Sequence, residues 1–193
     1  MSINRAAFFN RLKTHQLYAN INQGHVDGMT AILDEWELRG LTDMRWLAYI
    51  LATVYHETDR KMQPIEEYGR GEGKTYGRKL KYSRVAYDKP DKIYYGRGLT
   101  QNTWYEIYER LTKENNNGWD FLNDPDLLLK MKPSVWATFH AMTTGLYTGL
   151  KLSHFFNDKT DSSTGARKII NGKDKAELIS LYYRRFIECL KYV

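Results

Sequence analysis

Apolar residues recur at helical spacing over much of the chain. After Thr42, a candidate N-cap, the sequence places Leu47, Ile50, Leu51 and Val54 at the i, i+3, i+4, i+7 positions of an amphipathic helix. Two further stripes have the same spacing; they comprise Trp104, Ile107, Tyr108 and Leu111, and then Trp136, Phe139, His140 and Thr143. These patterns predict three helices.

Polar start signals indicate two more helices. Asp124 followed by Pro125 is typical of an N-cap and the first helical position. A last helix is predicted from near Asp174. Its apolar stripe comprises Leu178, Leu181, Tyr182 and Cys189.

The segment 66–98 differs from the rest of the chain. It holds six of the 14 glycines and several tyrosines, and it has no helical stripe. We therefore expect loops with a short hairpin, inserted between helices as a small lobe that forms the second wall of a cleft. The predicted fold class is mainly α, with two lobes.

Length and composition suit one domain over 1–193. The chain has 193 residues, enough for a core without covalent staples, and Cys189 is its single cysteine, so no internal disulfide is expected. A reducing compartment fits that composition. We expect a monomer by default.

Charge narrows the range of partners. The net charge is +6, which favours anionic partners such as nucleic acid, membrane surfaces or acidic wall polymers. The longest apolar-dominated run, 46–55, is far shorter than the roughly 20 residues of a membrane span. The first residues lack the apolar core of a secretory signal.

Two carboxylates flank the start of the irregular segment. Glu57 falls near the apolar face at the C-terminal end of the first predicted stripe, where burial and the helix dipole both disfavour negative charge. Such an environment retains a proton, as a general acid requires. Glu66 lies in a polar, glycine-flanked loop and is expected to be ionised. Such a pair can cleave glycosidic bonds, although a solvated helix end and a surface loop would explain the same residues.

Other motifs carry no comparable chemistry. The run "GEGKT" lacks the first glycine of a phosphate loop, since Tyr68 stands there, and Arg60 replaces the second histidine of a zinc motif after His56. We expect no metal and no cofactor. The basic run "GRKLKYSR" is more often a solvated loop than a phosphate-binding one.

Five segments, in order, resemble the glycoside hydrolase family 19 enzymes, which include chitinases and phage and bacterial endolysins of the lysozyme-like superfamily. The matching segments are "LAYILATVYHET", "IEEYG", "YYGRGLTQNTWYEIY", "NDPDLLL" and "GARKIINGKDKAELISLYYRRF". The resemblance spans about residues 25 to 190. It implies a two-lobed lysozyme-like fold and inverting hydrolysis of β-1,4 bonds next to N-acetylated sugars.

The resemblance also implies roles for individual residues. Glu57 matches the general acid of the family, and Glu66 matches the base of its endolysin-like members. Thr103 matches a hydroxyl residue that holds the attacking water. Gln101 and Asn171 match positions that contact substrate.

The sequence departs from the family pattern at two places. Asp59 and Arg60 replace the two glycines that usually follow the "HET" motif, which predicts a changed loop or cleft floor. Glu67 and Glu72 lie close enough to Glu66 to compete for the role of base.

Two candidate residues, Thr103 and His56, have a second explanation. Thr103, with Thr100 and Asn102, lies where a helix begins and could cap it instead of holding water. His56 is a candidate residue of the substrate site, where it would orient the acid. Alternatively, it is a packing residue. Tyr95 is a candidate support for a sugar ring.

The leading hypothesis is a peptidoglycan hydrolase of the endolysin type, cleaving between N-acetylmuramic acid and N-acetylglucosamine. It would be made in a host cytoplasm and act on the wall after release, without a separate wall-binding domain and with no need of nucleic acid. A chitinase with the same machinery is the main alternative. A transglycosylase and a non-catalytic wall- or nucleic-acid-binding protein are further alternatives.

Overall fold

The computed structural model describes residues 3–89 and 91–191. Pro90, within the predicted 66–98 lobe, and both ends of the predicted 1–193 domain lie outside the described residues. The described helices are α1 (Arg5–Thr14), α2 (Gln23–Leu38), α3 (Met44–Glu57), α4 (Tyr105–Glu114), α5 (Met131–Thr144) and α6 (Ala176–Leu190). Two short strands are β1 (Ile65–Glu66) and β2 (Arg97–Gly98). The prediction of a mainly α protein is confirmed.

The chain divides into two compact units. Unit 1 combines 1–62 with 139–193, and unit 2 is the continuous segment 63–138. Unit 2 therefore begins near the start of the predicted 66–98 lobe and extends well beyond its end.

Helix α3 is the centre of unit 1. All nine residues from Leu47 to Tyr55 are buried, which is the pattern of a helix enclosed on every side. Helix α6 packs against α3 and against α1, while α2 also packs against α3. Tyr55 makes edge-to-face contacts with Tyr182 and Phe186 of α6, with ring centroids 4.7 and 5.9 Å apart. The helix that ends at Glu57 is thus held rigidly.

In unit 2, two strands join the ends of the irregular segment. Strand β1 pairs antiparallel with β2, so that Glu66 lies opposite Arg97. The predicted hairpin corresponds to this pair and to an isolated bridge between Leu80 and Ala86. A buried set of aromatic and aliphatic side chains, Tyr94, Tyr108, Phe121 and Leu128, forms the adjoining core.

Several predicted helix starts are wrong by one or more residues. The N-cap of α3 is Asp43, not Thr42, because the Asp43 carboxylate accepts the backbone N–H of Arg45 at 3.0 Å. Helix α6 follows Lys175, whose backbone is left-handed, and Asp174 does not cap it.

The segment after Asp124 also differs from the prediction. Pro125 does occupy the first helical position, but it opens a short 3-10 helix, Pro125–Leu129, without a side-chain cap from Asp124. The long helix of this region, α5, starts only at Met131.

Two predicted apolar stripes are displaced. Trp104 precedes α4 with φ +79°, and it is half-buried and stacked on Tyr82 at 4.4 Å instead of lying in the core. Leu178 and Leu181 are each 37% exposed, so they do not face the core. The predicted Tyr182 and Cys189 do lie on the buried face of α6, which also comprises Ile179, Ser180, Tyr183, Phe186 and Leu190.

Candidate active site

The end of α3 presents Glu57 at the edge of the core. Helix α3 stops because the Thr58 hydroxyl donates to the Val54 carbonyl at 2.7 Å and accepts the Met62 N–H at 3.0 Å, which closes a tight turn. Within this turn Asp59 and Arg60 adopt φ angles of +49° and +65°. Two residues of the "HETDR" sequence thus adopt the left-handed conformation that glycine favours, at a cost of roughly 1 kcal/mol or more per residue.

A buried ion pair holds Glu57. Arg167 Nη1 donates to Glu57 Oε1 at 2.6 Å, with side chains 3% and 15% exposed respectively. Arg167 Nε also donates to the Asp174 carbonyl at 2.8 Å. The sequence reasoning considered only burial and the helix dipole at Glu57, and it did not include this cation.

His56 and Asn171 belong to the same unit as Glu57. Burial lowers the pKa of half-buried His56, while the Glu57 carboxylate acts in the opposite direction. The imidazole is therefore neutral near pH 7. Asn171 follows the 3-10 helix Gly165–Ile169, donates its backbone N–H to the Arg167 carbonyl at 3.0 Å, and has an exposed side chain. Arg167 therefore contacts both the Glu57 side chain and the Asn171 backbone.

Strand β1 positions Glu66 in unit 2. The Tyr95 hydroxyl donates to Glu66 Oε1 at 2.8 Å, and Arg70 Nη2 donates to Oε2 at 2.6 Å. These contacts, the tyrosine first, lower the pKa of Glu66. The carboxylate is thus ionised near neutral pH, in agreement with the prediction from the sequence.

Tyr95 contacts protein groups on both its hydroxyl and its ring. It is 7% exposed, and the Arg97 guanidinium lies over its ring at 3.5 Å. In this structure Tyr95 orients Glu66, and a contact with a sugar ring stays a prediction.

Gln101 and Thr103 lie in the turn after β2. Gln101 Nε2 donates to the Ile65 and Gly98 carbonyls at 3.1 and 3.2 Å, which ties both strands together. The Thr103 hydroxyl donates to the Gln101 carbonyl at 2.8 Å. Capping of α4 by Thr103 is therefore wrong, since Trp104 is the N-cap residue and has no side-chain cap bond. The lone pairs of the Thr103 oxygen can accept a hydrogen bond from water.

Glycine at position 96 leaves room for the side chains around this turn. A Cβ there would lie 2.8 Å from Gln101 Oε1, 3.3 Å from Thr103 Oγ1 and 3.4 Å from Glu67 Cβ. Gln101, Thr103 and Glu67 thus surround one small space beside the strand pair.

The two competing acids differ from each other in their contacts. Glu67 accepts the Tyr76 hydroxyl at 2.7 Å and the Gly96 N–H at 3.1 Å, so both of its oxygens stabilise the loop. Glu72 is exposed, and its backbone N–H donates to the Gly69 carbonyl at 2.8 Å. These contacts give Glu67 a structural role and leave Glu66 the better oriented candidate for the base.

Two arginines of this site were missed by the sequence reasoning. Arg167 pairs with Glu57 across 110 positions. Arg97, 4% exposed, donates to Asp126 at 2.9 Å and to the Ile93 carbonyl at 2.9 Å beneath Tyr95. Both lie inside segments that carry the family resemblance, "GARKIINGK" and "YYGRG", and a buried arginine within such a segment is the signal that could have identified them.

Two other features of the described residues bear on function. Within 3–89 and 91–191 no group of three or more His, Cys, Asp or Glu side chains could hold a metal ion. The same residues include no helix with the length and apolar character needed to cross a membrane.

Comparison with known proteins establishes the fold. No family model matches the chain, and no curated protein matches it in sequence. A bacterial family 19 chitinase of known structure is similar, with 20% identity and a TM-score of 0.62 over 99% of this chain and 96% of the other. A chitinase C with a glutamate-to-glutamine substitution is similar at 20% identity and a TM-score of 0.63, over 100% of this chain and 94% of the other. The chain therefore has the lysozyme-like fold of family 19 chitinases.

Proposed function

We propose that this protein is a glycoside hydrolase that cleaves β-1,4 bonds next to N-acetylated sugars, with Glu57 as the general acid. The observation that carries the proposal is a buried carboxylate, held by Arg167 at the end of the central helix, on a fold shared with chitinases. A carboxyl group fixed at the end of an enclosed helix is well suited to protonate a leaving oxygen.

Glu57 can carry a proton on one oxygen while the other stays bound. Arg167 contacts Oε1, and among the described residues Oε2 has no hydrogen-bond partner. Protonation at Oε2 gives a carboxylic acid whose O–H faces away from the guanidinium. Donation of that proton to the glycosidic oxygen then restores the charged pair with Arg167, which favours the transfer.

Glu66 is the proposed base for the attacking water. It is ionised, and its orientation is fixed by Tyr95 and Arg70. Thr103 would accept a hydrogen bond from the same water, since its own proton is donated to Gln101. Attack of this water on the anomeric carbon as Glu57 protonates the leaving oxygen gives inversion.

The proposed polymer is peptidoglycan, which makes the protein an endolysin-type muramidase acting at the cell wall. The net charge of +6 supports an anionic polymer over neutral chitin. Chitin is the second candidate, and it is favoured by both structural neighbours, which are chitinases.

Mass spectrometry of the soluble products tests the proposal. Purified peptidoglycan and chitin oligomers are each incubated with the protein. Muropeptides with ordinary reducing ends would support muramidase action, and release from chitin alone would support the chitinase. Anhydro products would indicate a transglycosylase instead. No release from either polymer would contradict the proposal and favour a binding protein.

A further inference from the structure

A pocket rich in lysine lies in unit 1 on the side of the Arg167 segment. It has a volume of about 610 Å³, within the range of ligand-binding cavities. Lys168, Lys173 and Lys175 line it, together with the hydroxyl residues Ser162 and Thr164. We refer to this cavity as the lysine pocket.

The lysine pocket is strongly cationic. Its three lysines are exposed, and none of them forms an ion pair with another described residue. Glu177 is the acidic residue of the lining. Like charges that share one cavity repel each other, and a bound anion with several oxygens would offset that repulsion.

The wall of the lysine pocket is also partly apolar. Ala176 and Leu178 contribute to the lining, and Leu178 is 37% exposed although it belongs to α6. A ligand that combines carboxylates with small apolar side chains would satisfy both kinds of lining. A polyol phosphate would leave the apolar part without a partner.

Arg167 connects the lysine pocket to the candidate acid. Lys168 follows Arg167 directly, and Lys173 and Lys175 flank Asp174, whose carbonyl accepts the Arg167 Nε–H at 2.8 Å. The same guanidinium binds Glu57 at 2.6 Å. In addition, the charges of Asp174 and Lys175 both act on His56, the neighbour of Glu57. The pocket is therefore built on the segments that hold the acid in place.

We propose that the lysine pocket binds the carboxylates of a peptide attached to the glycan beside the bond that is cleaved. This inference rests on the proposed function and makes its substrate more specific. Chitin carries no such groups, whereas the muramic acid units of peptidoglycan carry short peptides with carboxylates and alanine side chains. The lysine pocket would therefore select peptidoglycan over chitin.

A triple variant tests the proposal. Lys168→Gln, Lys173→Gln and Lys175→Gln are combined, and the matched control combines Lys13→Gln, Lys132→Gln and Lys159→Gln, three exposed lysines outside the pocket. Each variant loses three charges, so a general effect of net charge falls on both. Kinetics are measured on soluble peptidoglycan strands before and after an amidase removes their peptides.

We expect the pocket variant to raise KM for intact strands about tenfold, because it loses a few partly exposed ion pairs with the peptide. The rise in KM on peptide-free strands should be much smaller. The control variant should change both KM values by less than about twofold. Equal changes in the two variants would overturn the proposal. The proposal would also be overturned if the difference in KM between wild type and pocket variant disappeared on removal of teichoic acid and not on removal of peptide. The ligand would then be a phosphate.

A direct titration separates failure of this inference from failure of the proposed function. Stem peptides released from peptidoglycan are added to the full-length protein and followed by NMR, alongside the same peptides with amidated carboxylates. Saturable shifts that require both the carboxylates and the three lysines support the pocket even if no bond is cleaved. Hydrolysis of peptidoglycan without such shifts would support the enzyme and contradict the pocket.

Discussion

At the scale of single residues, the candidate site depends on which groups satisfy each carboxylate. Glu57 is bound by one guanidinium, Glu66 by a tyrosine and an arginine, and Glu67 by a tyrosine and a backbone N–H. The three acids thus differ in their contacts, which could not be read from their positions in the sequence.

Substitution of the three loop acids should distinguish those tasks. We expect Glu66→Gln to lower kcat by about a hundredfold or more, as loss of a general base does. Glu67→Gln should mainly lower stability, by about 1–2 kcal/mol, because its bonds to Tyr76 and Gly96 are weakened. Glu72→Gln should change neither. Kinetics and urea unfolding of the three variants check this, and a loss of turnover confined to Glu72→Gln would contradict the assignment of Glu66.

Removal of the partner of Glu57 should cost both stability and function. Arg167→Met leaves a carboxylate that is 15% exposed without its cation, which should lower the free energy of unfolding by about 3 kcal/mol. Turnover should fall as well, because the Glu57 carboxyl group loses the contact that orients it. Urea unfolding and kinetics check this, and a variant with wild-type stability and turnover would show that the ion pair contributes to neither.

At the scale of elements, the central helix and its end could be predicted from sequence, while its partners could not. The stripe of Leu47, Ile50 and Val54 locates α3 because spacing within one helix is a local property. The contact of Arg167 with Glu57 joins residues that are 110 positions apart, and the spacing of apolar residues along the chain does not predict such a contact. The buried face of α6 was predicted in part, since Tyr182 and Cys189 are buried as expected, whereas Ile179 and Tyr183 are buried in place of Leu178 and Leu181.

Caps and turns show the same limit. Asp43 and Thr42 are both acceptable N-caps, and only the geometry of the Arg45 N–H decides between them. Asp59 and Arg60 adopt left-handed angles that their residue types disfavour, and residue preference alone does not predict such angles. The positions of Glu57 and Glu66 in the sequence indicated a candidate acid pair, and similarity to family 19 segments added Gln101 and Thr103 as candidates.

Close contact between α2 and the chain after α3 can be tested at Gly28. A Cβ at this position would lie 1.7 Å from the Met62 carbonyl oxygen, which is backbone and cannot rotate away. Gly28→Ala should therefore lower the free energy of unfolding by about 2 kcal/mol or more. Gly69→Ala is the control, since nothing lies within 4 Å of its Cβ position. Equal urea midpoints for the two variants would disprove the close approach.

At the scale of the whole molecule, stability should depend on pH through the half-buried His56. Burial lowers the pKa of His56 below its ordinary 6.5. When the pH falls below 6.5, the unfolded chain therefore takes up a proton that the folded chain does not. The free energy of unfolding should decrease as pH falls from 6.5 towards the folded pKa, by at most about 1.4 kcal/mol per pH unit for one proton.

Urea unfolding between pH 7.5 and about pH 5 measures this dependence. His56→Gln should show a shallower decrease than the wild-type chain over the same range. His25, whose pKa burial also lowers, keeps its contribution in both proteins. Parallel curves for wild type and variant would mean that His56 titrates alike in the folded and unfolded chain.

The central claim is that Glu57 protonates a glycosidic bond, and the most direct measurement is release of reducing ends by wild type and by Glu57→Gln. Both proteins are incubated with purified peptidoglycan and with chitin oligomers, and circular dichroism verifies that the variant is folded. The account predicts new reducing ends with the wild type and a loss of about a thousandfold or more with Glu57→Gln. Near-wild-type release by the folded variant would contradict the account.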